Sequence, residues 1–253
     1  MKTTTNSDRR SFLQSITLVT STVGIGGASL LWGCQQRNGE NGTQAGEAGD
    51  EEGEKSEEEV SPPEDLMREH GLLNRILLIY DTSITRLNSK EDFSPESLHN
   101  AAGIIRTFIE DYHEKLEENY LFPRFRKANK LTDLVQVLQR QHDAGRALTD
   151  QILQYSNMPA LSKNEGRQQL VNLLSQFNRM YRPHEAREDT VLFPALKEIV
   201  SSNEYDAMGE DFEKKEHELF GEDGFATMVD KVAGIEKQMG IYELSQFTPT
   251  LPG

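Results

Sequence analysis

The chain has 253 residues, 36% of them hydrophobic, which suits one folded domain with extensions. Its 42 acidic side chains outnumber 27 basic ones, so the surface repels phosphate backbones and nucleic acid is excluded as a partner. A single cysteine excludes disulfide frameworks, thiolate zinc sites and CxxC redox centres within the chain.

In chain order, residues 1–34 come first, with a net charge of +2 from Lys2, Arg9 and Arg10 against Asp8. The 17 residues Ile16–Trp32 carry no charge, are rich in Gly, Ser and Thr, and fall short of the ~20 needed for a spanning helix. A positive start, an apolar middle and small residues at the end describe an export signal. Arg9, Arg10, Ser11, Phe12 and Leu13 resemble a twin-arginine leader, and Leu30–Cys34 is similar to a lipobox ending on an acylated Cys34. Trp32 is bulkier than that pattern usually allows. The resemblance implies export to a periplasmic or cell-surface location, with membrane attachment through a lipid at Cys34. Residues 35–63 contain five glycines, nine acidic groups and no aromatic residue. Such a run buries too little apolar surface to offset its conformational entropy and is expected to be a disordered tether.

The remainder, 64–253, is expected to be one all-α domain. Leu66, His70, Leu73 and Leu77 repeat at helical steps, as do Ile105, Ile109, His113, Leu116 and Tyr120. Leu131, Val135, Leu138, His142 and Gly145 form a third such series, and Phe177, Met180, His184, Glu188, Val191 and Ala195 a fourth. The pattern predicts helices over 64–88, 95–127, 131–156 and 163–200, then a fifth segment over 203–239 broken near Gly221–Gly224. Four long helices with short turns predict an antiparallel up-down-up-down bundle with an additional C-terminal helical segment. Pro123 and Pro194 are expected to kink or end their helices, and Pro183 to kink one that continues through it. The final stretch from Tyr242 is expected to be extended and to pack along the bundle, covering Phe247 and Leu251.

Two of these helices carry one arrangement twice: HEKLEENYLFP at His113–Pro123 and HEAREDTVLFP at His184–Pro194, 71 residues apart. Residues four apart share a helix face, so His113 points with Glu117 and His184 with Glu188. One such pair on a helix is most often an exposed ion pair. Here both lie on apolar faces, where a carboxylate demands a cation or strong donors. The other two helices each bring a histidine on the apolar side, His70 and His142, spaced by 72 residues. A duplication thus places His70, His113, Glu117, His142, His184 and Glu188 at the middle of a bundle. Imidazole with carboxylate and no sulfur suits iron, manganese or zinc. Two ions sharing six ligands, bridged by Glu117, Glu188 and a solvent-derived oxygen, keep coordination positions open.

Over 64–200 these residues, with an LFP after each His–Glu pair, resemble the hemerythrin-like, HHE cation-binding family. The resemblance implies a four-helix bundle around a non-haem di-iron centre that binds or reacts with O2, peroxide or nitric oxide. Manganese or zinc fits that centre less well. An alternative is an iron-binding or metal-sensing module without turnover. The chain departs from the oxygen-carrying members at Arg146, where they have a second histidine, and in offering Glu188 at helical spacing beside Asp189. More carboxylate and fewer imidazoles predict less reversible O2 binding.

Glu110 precedes His113 by three residues, half of a ferritin-like Glu-x-x-His signature, but the second half is absent because Tyr181 holds that place. Glu114 and Glu185 are expected to orient imidazoles from outside the site, and Tyr181 to donate near the metals. His217 is either a further ligand or mouth cap, or an ordinary core or surface histidine. His99 lies ~21 Å along the helix axis from His113 and is expected to be exposed.

Overall fold

The computed structural model describes residues 60–92 and 94–251. The export signal with Cys34, and the tether up to residue 59, lie outside the described residues. Among the described residues there is helix and no strand. No helix among them is long and apolar enough to cross a membrane.

Helix α1 spans Pro62–Ser89. Its start is set by two prolines in the first turn and by Glu64, whose carboxylate accepts from the Ser61 backbone N–H at 3.0 Å and the Ser61 hydroxyl at 2.6 Å. Helix α2 is a continuous rod, 95–127, made of α segments Pro95–Ile104, Glu114–Leu116 and Phe122–Lys127 with π-helical segments Ile105–His113 and Glu117–Leu121 between them. Helix α3 is Thr132–Tyr155. A one-turn helix, Met158–Leu161, leads to α4, the rod 164–196, which comprises Asn164–Arg187, a π segment Glu188–Leu192 and Phe193–Leu196. Helix α5 is Ser202–Phe220, opened by a reciprocal Ser201–Glu204 cap, and α6 is Gly224–Gln238. Between them Gly221 takes φ +82°, the left-handed conformation that lets the chain turn where the sequence predicts a break.

Helices α1 and α3 both pack against α2 and α4, so the four rods enclose one core, and α5 and α6 lie against α1. Phe108, Tyr112, Phe122, Phe125, Phe177, Tyr181 and Phe193 fill that core. An ion pair from Arg75 to Glu236, with Nε–Oε1 at 3.0 Å, ties α6 to α1.

Three local features differ from expectation or refine it. Pro183 sits inside α4, which runs on unbroken to Arg187. Pro123 and Pro194 neither end nor break their rods at once. Each follows a π turn that begins on the repeat's second glutamate, so that Phe122 N–H reaches Glu117 O and Phe193 N–H reaches Glu188 O. The wider turn relieves the clash that a proline ring makes with the preceding turn. The terminal stretch is the third: Leu244, Phe247 and Leu251 are 82%, 47% and 79% exposed, so the expected packing along the bundle does not occur. Met239 and Ile241 are the last buried side chains, and the core is already closed before the chain reaches Phe247.

Candidate metal centre

The six residues singled out by spacing meet inside the bundle, one histidine from each rod, and all six are buried. His70 on α1 and His113 on α2 face each other, Nε2 to Nε2, at 3.1 Å. His142 on α3 and His184 on α4 do the same at 3.3 Å. The two glutamates span these pairs. Glu188 Oε2 lies 3.1 Å from His184 Nε2 and 3.5 Å from His70 Nε2, while Glu117 Oε2 lies 3.3 Å from His142 Nε2 and 3.9 Å from His113 Nε2. Each carboxylate therefore touches one imidazole of either pair.

The outward ring nitrogens fix the tautomers. His70 Nδ1 meets Asp189 Oδ1 at 2.7 Å, His113 Nδ1 meets Glu69 Oε2 at 2.7 Å, His142 Nδ1 meets Glu118 Oε1 at 3.1 Å, and His184 Nδ1 meets Gln141 Oε1 at 2.9 Å. These oxygens accept, so each Nδ1 is the donor and each ring, once free of a second proton, turns an Nε2 lone pair inward. Four lone pairs thus converge with four Glu117 and Glu188 oxygens that have no hydrogen-bond partner in the protein. Such an arrangement is repulsive without a positive charge at its centre, and bound metal would supply one. The donor set of imidazole nitrogen and carboxylate oxygen, without sulfur, fits iron, manganese or zinc.

Electrostatics agree with that reading. Burial, reinforced by the nearby Glu188 carboxylate, pushes Glu117 well above the ordinary carboxylate range. Burial opposes ionisation of Glu188 too, but attraction to the His184 and His70 rings in their protonated form outweighs it and holds Glu188 below that range. The two carboxyl groups are thus driven in opposite directions, Glu117 toward its neutral form and Glu188 toward its charged one. Burial also lowers His113 and His142, which favours their neutral, ligating form; it opposes protonation of His70 too, but Asp189 and the nearby glutamates outweigh it and raise that ring.

The repeat's LFP now has a physical account. Phe193 stacks on His70 at 5.6 Å and Phe122 on His142 at 5.4 Å, so each copy's phenylalanine covers a histidine contributed by another rod. The π turn at each glutamate lies beside that contact, as such bulges often do at functional sites.

Several expectations need correction. Glu114 and Glu185 do not orient imidazoles. One residue beyond its histidine, each points about 100° around the helix, toward a neighbouring rod. Glu114 instead accepts from the Tyr181 hydroxyl at 2.7 Å and pairs with Arg146 at 2.6 Å, and Glu185 accepts from Asn74 at 2.5 Å. Tyr181 accordingly gives its proton donor to Glu114 rather than to the centre, although its ring lies 5.5 Å from that of His184. The orienting acceptors are the residues before His70 and His142 and those after Glu117 and Glu188. Sequence reasoning missed them, although Glu69 matches Gln141 and Glu118 matches Asp189 across the repeat. Arg146 places its guanidinium between Glu114 and Glu118, 2.6 Å from each. Glu110 stays outside the centre, bonded to Thr149 at 2.5 Å. His217 is exposed, and its neighbour Glu216 is the buried residue, grouped with Asp65 and Glu69. His99 is exposed as expected and bonds Ser156.

A helical bundle that turns four imidazoles and two carboxylates onto one point defines a cation-binding protein. The hemerythrin HHE cation binding domain model matches residues 61–196, and the chain belongs to that family. It is also similar to "Uncharacterized protein Rv1995" of Mycobacterium tuberculosis (strain ATCC 25618 / H37Rv), 52% identical over 191 residues that cover 76% of this chain and 75% of the relative. "Uncharacterized protein Mb2018" of Mycobacterium bovis (strain ATCC BAA-935 / AF2122/97) matches with the same 52% identity over 191 residues. No solved structure matches this chain.

Proposed function

We propose that this chain is an exported non-haem di-iron protein that binds or reduces O2, peroxide or nitric oxide. The four rods would run up-down-up-down as an antiparallel bundle. His70 and His113 would hold one iron and His142 and His184 the other, with Glu117 and Glu188 available to both. The observation that carries this reading is the set of inward Nε2 lone pairs and unpartnered buried carboxylate oxygens. Iron held by these residues would supply the electrons for reduction of a small oxidant.

The chain's own residues prepare that event. Glu69, Asp189, Glu118 and Gln141 hold the rings by their Nδ1 protons, so the inward nitrogens need no reorganisation. Phe122 and Phe193 close two sides and keep bulk water away from the carboxylates. With the twin-arginine leader and acidic tether, the bundle would be loaded with iron inside the cell, exported folded, and held off a membrane through a lipid on Cys34.

Protein grown with iron tests this directly. The expected result is about two irons per chain, a fall in iron content in His113→Ala, and consumption of peroxide or O2 by the reduced protein. Zinc alone with no oxidant reactivity would defeat the redox reading. Two irons without turnover, together with loss of helicity on chelation, would favour the metal-sensing alternative.

A further inference from the structure

The inward-facing ligands are matched across the repeat, His for His and Glu for Glu, whereas the groups behind them are not. Behind the His70–His113 pair stand two carboxylates: Asp189 Oδ1 on His70 Nδ1 and Glu69 Oε2 on His113 Nδ1, both at 2.7 Å. Behind the His142–His184 pair stand Glu118, at 3.1 Å, and Gln141, at 2.9 Å. Gln141 carries no charge. Glu118 shares its charge with two cations, lying 2.6 Å from Arg146 and 2.5 Å from Lys115. A carboxylate behind an imidazole draws on its Nδ1 proton and makes Nε2 a stronger donor, while an uncharged amide does so less.

We infer that the two metal positions are built to be unequal: the His70–His113 position binds its ion first and more tightly, and the His142–His184 position is the labile one. Glu69 and Gln141 set the difference, occupying the same place in the two halves with and without a charge. They are positioning residues that act through His113 and His184. The inference rests on the two-ion reading of the site and adds the order of loading. The weaker ion would be the last in and the first out, so partial occupancy would leave a singly loaded protein rather than a mixture of empty and full chains.

The test is an anaerobic calorimetric titration of the metal-free full chain with cobalt(II), a divalent probe that does not react as ferrous iron does. Wild type is expected to show two steps of one ion each, at least ~10-fold apart in affinity. Gln141→Glu should tighten the weaker step by ~10-fold or more and close the gap, whereas Glu69→Gln should weaken the tighter step by a similar factor. Circular dichroism of both variants checks that the helices are intact. Two ions bound with equal affinity in wild type, or an unchanged gap in Gln141→Glu, would overturn the inference while leaving the two-ion site standing. Uptake of fewer than two ions would overturn both.

Discussion

Gly145 on α3 offers the sharpest test of the packing that flanks the centre. A methyl group built there would lie 2.0 Å from the Tyr181 hydroxyl oxygen and 2.8 Å from the ring carbon that bears it, where ordinary contact begins near 3.4 Å. The hydroxyl would therefore have to retreat by the difference, 3.4 less 2.0, or about 1.4 Å. It has no free direction. The ring is stacked on Phe177 at 4.3 Å, lies against His184 at 5.5 Å, and anchors on Glu114 at 2.7 Å. Gly145→Ala thus costs ~1–3 kcal/mol for overpacking and ~1.5–3 kcal/mol for the lost bond to a buried carboxylate. Alanine's better helix propensity returns ~1 kcal/mol, which leaves a net loss of roughly 1.5–5 kcal/mol. For a domain of this size that is a fall in Tm of roughly 3–20 °C by calorimetry or circular dichroism. Gly103→Ala on α2 is the control, because nothing lies within 4 Å of its methyl position, and it should gain ~0.5–1 kcal/mol. If Gly145→Ala melts at or above wild type, the close approach of Tyr181 to α3 is wrong.

Burial already holds the Glu117 carboxyl toward its neutral form, so Glu117→Gln should change metal-free stability by under ~1 kcal/mol in urea unfolding with chelator present, while protection by added metal falls. A gain of several kcal/mol in metal-free protein would mean that Glu117 is ionised there. Burial raises the Glu185 carboxyl to about 8 from 4.5, so in metal-free protein its contribution is fully present below pH ~4.5 and is lost as pH rises through 8. Urea midpoints at pH 5 and 8 should accordingly fall less in Glu185→Gln than in wild type, and equal falls would sink the assignment. Ending the chain at Ile241 should cost under ~1 kcal/mol, because the side chains removed include the exposed Leu244, Phe247 and Leu251. A larger drop would mean the tail covers the bundle after all.

What could be read from the sequence was what depends on a single helix. The four-residue step from His113 to Glu117 and from His184 to Glu188 is a property of helical geometry, so both pairs were visible without knowing any partner rod. The three- and four-residue apolar spacing located the helices and the breaks between them for the same reason. The acceptors behind the rings were not visible in that way, because each belongs to a different rod from the histidine it serves: Glu69 on α1 serves His113 on α2, and Asp189 on α4 serves His70 on α1. Only the packing of the rods brings these pairs together. The same is true of Phe122 over His142 and Phe193 over His70. Yet the doubled sequence did hold a sign of them. An acid or amide stands before His70 and His142, and an acid follows Glu117 and Glu188, in register across both halves. A helical His–Glu pair with only apolar neighbours would need some other donor to stay buried. When each half also carries a group able to hold the other rings by Nδ1, the four imidazoles are committed to present Nε2 inward, and a surface ion pair is no longer an adequate account of the spacing. Such flanking residues, more than the His–Glu step itself, separate a metal cradle from a solvated helix face.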